Sequence, residues 1–303
     1  MGATFNSCIA AVLLATASVP IGAQEQNHER NDSAEILADY LSQPAPRSDR
    51  LVKFAPGVIS TNEAWEEKLT FTPDMQQAFF ARHPNEDYFK PELLSLDRHG
   101  SDWTGPQKAY FTGEQLIGFP LVDPTGQRLY MERVAGQIVF SEKKASGWSN
   151  PREWTPNAKG VSGFGLAQRT NSGNLYFYSR YERIVYVQRW NGESYNGPEA
   201  LPMQINPAVE FFVARDESYL IFTPIDWDNP VHISFNMDGE WSLPISLQKH
   251  FKGWNARGYG PYVSPDERYF FIGNKGDIFW STTDFIDALR DQRLSERTAS
   301  IKQ

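Results

Sequence analysis

Leu69-Thr-Phe-Thr-Pro-Asp74, followed by Ala78-Phe-Phe80, reads as an apolar strand, a tight turn and an aromatic strand. Proline at the second turn position presets φ, and aspartate satisfies the rest of the turn. The hairpin recurs as Val122-Asp-Pro-Thr-Gly126 with Leu129-Tyr-Met131 and as Asn171-Ser-Gly173 with Leu175-Tyr-Phe177. It recurs again as Ala214-Arg-Asp216 with Leu220-Ile-Phe222 and as Ser264-Pro-Asp266 with Tyr269-Phe-Phe271. Asp74, Thr125, Ser172, Asp216 and Asp266 then stand 51, 47, 44 and 50 residues apart. A period in this range marks an array of similar units.

A second motif is interleaved with the first. Trp103-Thr-Gly-Pro106, Trp148-Ser-Asn-Pro151, Tyr195-Asn-Gly-Pro198 and Trp241-Ser-Leu-Pro244 place their prolines 45, 47 and 46 residues apart. Between the motifs lie third strands: Glu92–Leu96, Ile138–Phe140, Ile184–Val187, Val231–Phe235 and Asp277–Trp280. Each unit is thus predicted to have four strands in about 45 residues, the size of a propeller blade. Five hairpins are followed by four aromatic-x-x-Pro segments, so the fifth unit lacks its last strand. Phe54-Ala-Pro56-Gly-Val-Ile-Ser60 has roughly the missing form. We expect residues 56–60 to complete the last blade and close the ring, which removes exposed strand edges. The fold expected is an all-β, five-bladed β-propeller; six blades fit if a degenerate unit hides in the long first repeat.

The run Leu69–Asp74 with its aromatic pair resembles the WD40-like repeats called PD40. The aromatic-x-x-Pro segments, each with a glycine shortly upstream (Gly100, Gly147, Gly192 and Gly239), are similar as well. Such repeats occur in TolB-type propellers and related exported bacterial proteins, and Gly276-Asp-Ile-Phe-Trp280 looks like a common ending of such chains. The resemblance covers roughly residues 54–290 and implies the fold. It implies little about function, because the fold hosts scaffolds, peptidase gates, lyases and glycosidase-like sites.

Composition agrees with an all-β protein. The chain has 303 residues, 14% aromatic, with 22 Gly and 20 Pro as turn formers. A net charge of −8 leaves no basic excess for phosphates, so nucleic acid and anionic membrane surfaces are not expected partners. Cys8 to Ala23 is an apolar stretch ending in small residues, which fits a secretory signal over 1–23 and a periplasmic or secreted protein. The alternative is a buried N-terminal element. Residues 24–50 read as a polar extension with a helical candidate at Ser33–Leu41, 51–291 as the propeller and 292–303 as a polar tail. Nothing else is apolar enough to span a bilayer.

In a propeller, the loops leading into each first strand share a face with those joining second and third strands. Here that face collects Glu66, Glu210 and Arg257 from the first set, and Arg82, Glu132, Arg133, Arg180, Arg183, Asp226 and Asp228 from the second. Arg82, Arg133 and Arg180 each follow a second strand, and a ring of guanidinium groups would suit a carboxylate or sulfate ligand. Alternatively, each arginine pairs with a carboxylate at the seam between blades. Glycoside hydrolysis needs two facing carboxylates, and Glu66, Glu132, Glu210, Asp226 and Asp228 are available. Asp226 and Asp228 could also hold calcium; no other cofactor is expected. The five histidines are scattered, and neither a Gly-x-Ser-x-Gly elbow nor a phosphate-binding loop is present. Trp103, Trp148 and Trp241 recur with the repeat and so read as packing residues. Trp65, Trp227 and Trp254 break it and are candidates for stacking on a sugar or peptide. The leading expectation is a non-enzymatic binding or scaffold protein that holds a protein, peptide or carbohydrate on this face. The competing one is a glycosidase-like enzyme acting on an acidic sugar.

Overall fold

The computed structural model describes residues 46–100, 102–134, 136–226, 230–254 and 257–301. Five antiparallel sheets follow one another along the chain. Their first three strands are Ala64–Phe71, Gln77–Pro84 and Glu92–His99 in blade 1, and Ile117–Val122, Arg128–Arg133 and Ile138–Lys144 in blade 2. Blade 3 has Phe164–Arg169, Leu175–Ser179 and Ile184–Gln188; blade 4 has Ala208–Val213, Tyr219–Pro224 and His232–Met237. Blade 5 has Tyr259–Val263, Tyr269–Asn274 and Asp277–Thr282. First strands of neighbouring blades contact each other, and Tyr259–Val263 meets Ala64–Phe71 across the fifth seam. The chain is a five-bladed β-propeller. The expected signal segment and the helical candidate at Ser33–Leu41 lie outside the described residues. Among the described residues, no helix is long and apolar enough to cross a membrane.

The hairpin turns repeat at atomic detail. Asp74, Asp123 and Asp266 each accept a backbone N–H within their own turn, at 3.0 Å from Gln76, 3.0 Å from Gln127 and 3.2 Å from Arg268. In each of the five turns one residue adopts left-handed φ: Met75, Gly126, Gly173, Glu217 and Glu267.

The fourth strands are shorter than expected. In blades 1, 2 and 4 the outer edge is two pieces: Asp102–Trp103 and Gln107–Lys108, Gly147–Trp148 and Arg152–Glu153, Glu240–Trp241 and Ile245–Ser246. The motif proline falls between the pieces, where its missing N–H interrupts the ladder. Trp148 packs edge-on at 5.7 Å against Phe79 of blade 1 and donates from Nε1 to Gln77 Oε1 at 2.9 Å. The motif aromatic thus reaches back to the preceding blade.

The outer strand of blade 5 is Val52–Lys53, antiparallel to Asp277–Thr282 with Val52 opposite Trp280. The expected residues 56–60 do not form it. They make a tight turn, in which Gly57 N–H and Ile59 N–H return to Ser60 and Ala55 carbonyls. Glycine and proline in this run favour a turn over a strand. After blade 5 a helix spans Asp284–Ile301, and Phe285, Ile286 and Leu289 bury its first turns against blades 4 and 5. The buried apolar residues form four clusters: three fill one seam each, and the largest fills both seams of blade 5, because each sheet buries both faces against its neighbours.

Candidate functional site

Every first strand carries a register irregularity: at Glu67/Thr70, Gly118/Leu121, Gly165/Ala167, Ala208/Glu210 and Tyr259/Tyr262. Bulges of this kind redirect side chains. Lys68, Phe119 and Leu166 sit there with φ of 56°, 51° and 46°, which side-chain-bearing residues rarely adopt. Phe119, Leu166 and Val209 line an axial cavity of about 400 Å³, together with Glu132, Tyr178, Arg180, Arg183, Glu210 and Ile225. Lys68 is the charged member of the bulge set. Its stem takes the room left by the absent side chain of Gly260, where a Cβ would lie 2.9 Å from Lys68 Cδ.

Four of the expected residues, Glu132, Arg180, Arg183 and Glu210, come together in this cavity. Glu132 is buried, pairs with Arg180 and accepts the Leu166 N–H of blade 3. Burial pushes its carboxyl upward, opposed by Arg180 and by the Leu166 N–H. Glu210 pairs with Lys68 Nζ at 3.2 Å and accepts the Gly260 N–H of blade 5. Arg183 has no carboxylate partner among the described residues, and its guanidinium adds positive charge at the cavity. The lining thus carries two arginines and two glutamates, and Lys68, outside the lining, pairs with Glu210.

The other expected residues go elsewhere. Glu66 is fully buried within a strand, where it accepts Arg82 Nε at 3.0 Å and Thr61 Oγ1 at 2.6 Å. Arg82 also donates to the Val58 and Ile59 carbonyls at 3.1 and 3.2 Å, so it ties the N-terminal turn to blade 1. Arg133 turns outward to Glu153 at 2.6 Å and to Gln115 at 3.0 and 2.9 Å. Arg82, Arg133 and Arg180 therefore do not form a ring. Asp226 lines a separate cleft of about 220 Å³ beside His232 and the cis Asn206-Pro207 bond. Burial lowers Arg257, against the fields of Glu210 and Asp226. Asp228 and Trp227 lie outside the described residues. Among the described residues no three His, Cys, Asp or Glu are grouped to hold a metal ion.

Trp65 stacks on Tyr259 at 5.6 Å and meets Tyr88 edge-on at 5.8 Å, and Trp254 packs on Phe279 at 5.4 Å. Both are packing residues. Lys68 was not expected at the cavity. Three consecutive charges, Glu66-Glu67-Lys68, ahead of an apolar strand were the available signal, since a solvated edge seldom runs straight into a core strand.

His83 is buried, with Nε2 3.0 Å from Glu67 Oε1 and Nδ1 2.6 Å from the Tyr88 carbonyl. Both neighbours only accept hydrogen bonds, so the imidazolium form satisfies both. Desolvation opposes the charge, but Glu67 and the Tyr88 carbonyl outweigh it and raise His83 above its ordinary value. The stabilisation is complete below the ordinary histidine value of about 6.5 and fades as pH rises through the raised folded value. Hydrogen exchange at residues 85–90 is expected to quicken as pH rises through that value, beyond the intrinsic pH effect. In a His83→Gln variant this extra step should vanish.

No known protein family matches the chain, and no curated protein matches it in sequence. Among solved structures, a gluconolactonase from Xanthomonas campestris is similar over 74% of this chain and 87% of its own, at 10% identity and TM-score 0.48. An oligogalacturonate lyase in complex with manganese is similar over 73% and 66%, at 14% identity and TM-score 0.40. The Swd1 β-propeller domain of Myceliophteria thermophila is similar over 70% and 63%, at 8% identity and TM-score 0.40. Likeness at such identities concerns shape alone. It is the chain's own strand pairing that makes it a five-bladed β-propeller with an axial, charge-lined cavity.

Proposed function

We propose that the axial cavity takes a small acidic carbohydrate and hydrolyses it, with Glu132 as proton donor and Glu210 as the carboxylate that activates water. The observation that carries this reading is the pair of glutamates in one cavity in opposed settings. Glu132 is desolvated and pushed toward its protonated form, while Glu210 faces the Lys68 ammonium at 3.2 Å. Acid–base hydrolysis of a glycosidic bond requires two carboxyl groups facing that bond in unlike surroundings, one to give a proton and one to take one. Glu132 would protonate the departing oxygen as the bond to the sugar carbon breaks. Glu210 would take a proton from the water that attacks that carbon. Arg183, which has no carboxylate partner among the described residues, supplies the attraction for the ligand's carboxylate.

The test is a panel of acidic oligosaccharides offered to purified protein, with release of reducing ends followed. Turnover should fall at least about a hundredfold in Glu132→Gln and in Glu210→Gln. Turnover that survives both substitutions removes these residues from the chemistry. A second reading is an exported, non-enzymatic binding protein of the TolB/PD40 kind. It is favoured by the ion pairing of both glutamates, Glu132 with Arg180 and Glu210 with Lys68, which already gives each a structural role. Saturable binding with no turnover would select it.

A further inference from the structure

The axial cavity is bordered on blade 3 by the loop Ser179-Arg180-Tyr181-Glu182-Arg183, whose two arginines line the cavity. Between them Tyr181 is 78% exposed, a large exposure for an aromatic ring. The loop is held in place. Arg180 N–H donates to the Gly163 carbonyl at 2.7 Å, Arg183 N–H to the Ser179 carbonyl at 2.8 Å and Ser179 Oγ to the Ser162 carbonyl at 2.9 Å.

The ring orientation follows from Gly163. A Cβ placed there would lie 2.8 Å from Tyr181 Cδ2 and 3.0 Å from both Cε2 and Cγ. Three contiguous ring atoms at nearly equal distance mean a face-on approach; an edge-on approach would leave the two flanking carbons far behind the middle one. Tyr181 therefore lies flat on a glycine with its other face turned to water. Gly163, at φ +67°, keeps the ring close, because a side chain there would lift it off. Two residues on, a Cβ at Gly165 would come within 2.9 Å of Glu132 Oε1 and 3.1 Å of Arg180 Nε. The platform thus adjoins the Glu132–Arg180 pair.

We infer that Tyr181 is the stacking platform for a second sugar ring, so that the ligand is a uronic-acid disaccharide or longer chain whose first ring enters the axial cavity. The inference rests on the acidic-carbohydrate reading above. A sugar ring presents a C–H face that packs on an aromatic face, and a fixed ring loses little entropy on binding. The flanking arginines suit the carboxylates of successive uronic-acid units.

The experiment compares a uronic-acid monomer, dimer and trimer by calorimetry on the wild type, Tyr181→Ala and Tyr181→Phe. In the wild type the dimer should bind about tenfold more tightly than the monomer. Tyr181→Ala should bring the dimer down to the monomer's affinity, and Tyr181→Phe should keep the advantage, because the face and not the hydroxyl makes the contact. A dimer advantage that persists in Tyr181→Ala, or is absent from a wild type that binds the monomer, overturns the platform while leaving the axial site standing. Wild-type protein that binds none of the three overturns the axial reading and the platform together.

Discussion

Glu217→Ala is expected to lower stability by about 3–5 kcal/mol and the melting temperature by roughly 8–15 °C. Glu217 lies in the hairpin turn of blade 4, with φ of 63°, and its side chain crosses the seam to the turn of blade 3. There it accepts from Thr170 Oγ1 at 2.9 Å, Asn174 Nδ2 at 2.9 and 3.1 Å, Tyr176 OH at 2.7 Å and Ser172 Oγ. Truncation would leave these donors facing an empty space, and each unsatisfied buried donor costs about 1–3 kcal/mol. Burial acts to raise the Glu217 carboxyl, but the hydrogen bonds from Ser172, Tyr176, Asn174 and Thr170 outweigh it and hold it below its ordinary value. A depressed carboxyl stabilises the fold above its unfolded value and loses that contribution as pH falls through the folded one. The wild type should therefore lose this seam on acidification, and Glu217→Ala should show a flatter acid limb. A thermal scan in which the variant melts within about 2 °C of the wild type, at neutral and acid pH alike, would refute the seam assignment.

The second large effect concerns the junction of the two chain regions in blade 5. Phe54 is 1% exposed; its ring lies edge-on to Phe271 at 4.9 Å and to Trp280 at 5.3 Å, and its N–H donates to the Ile278 carbonyl at 2.8 Å. Ser60 Oγ reinforces the junction, accepting the Ile278 N–H and donating to its carbonyl, each at 3.1 Å. Phe54→Ala should cost about 3–5 kcal/mol, the usual range for emptying a buried phenylalanine site. Deleting residues 46–60 should go further, since it uncovers the edge of Asp277–Thr282 and invites pairing between molecules. Urea unfolding with light scattering checks both. A Phe54→Ala midpoint equal to the wild type's would show that the N-terminal segment contributes nothing to the ring.

Much of the fold was legible in the sequence because turn chemistry is local. Pro73, Asp74, Gly126, Gly173 and Asp266 dictate backbone geometry within four residues, and their period counted the blades. The outer strand of blade 5 was misplaced by a few residues, since two-residue pairing at Val52–Lys53 leaves almost no pattern to read. Trp65 read as a candidate for stacking on a ligand because Tyr259, which stacks on it, is nearly two hundred residues away in sequence.

The sequence by itself determined five units and their turns, because each of these follows from contacts inside one unit. Only the tertiary structure decided which charges face the axis. Arg82 and Arg133 occupy the same repeat position as Arg180, yet only Arg180 reaches the cavity glutamate. The reason is physical: a side chain at a blade rim takes whichever partner lies within reach, in its own blade for Arg82 and Arg133 and in the preceding blade for Arg180, and bulges at Lys68, Phe119 and Leu166 turn side chains inward by backbone twists that leave no mark in residue type.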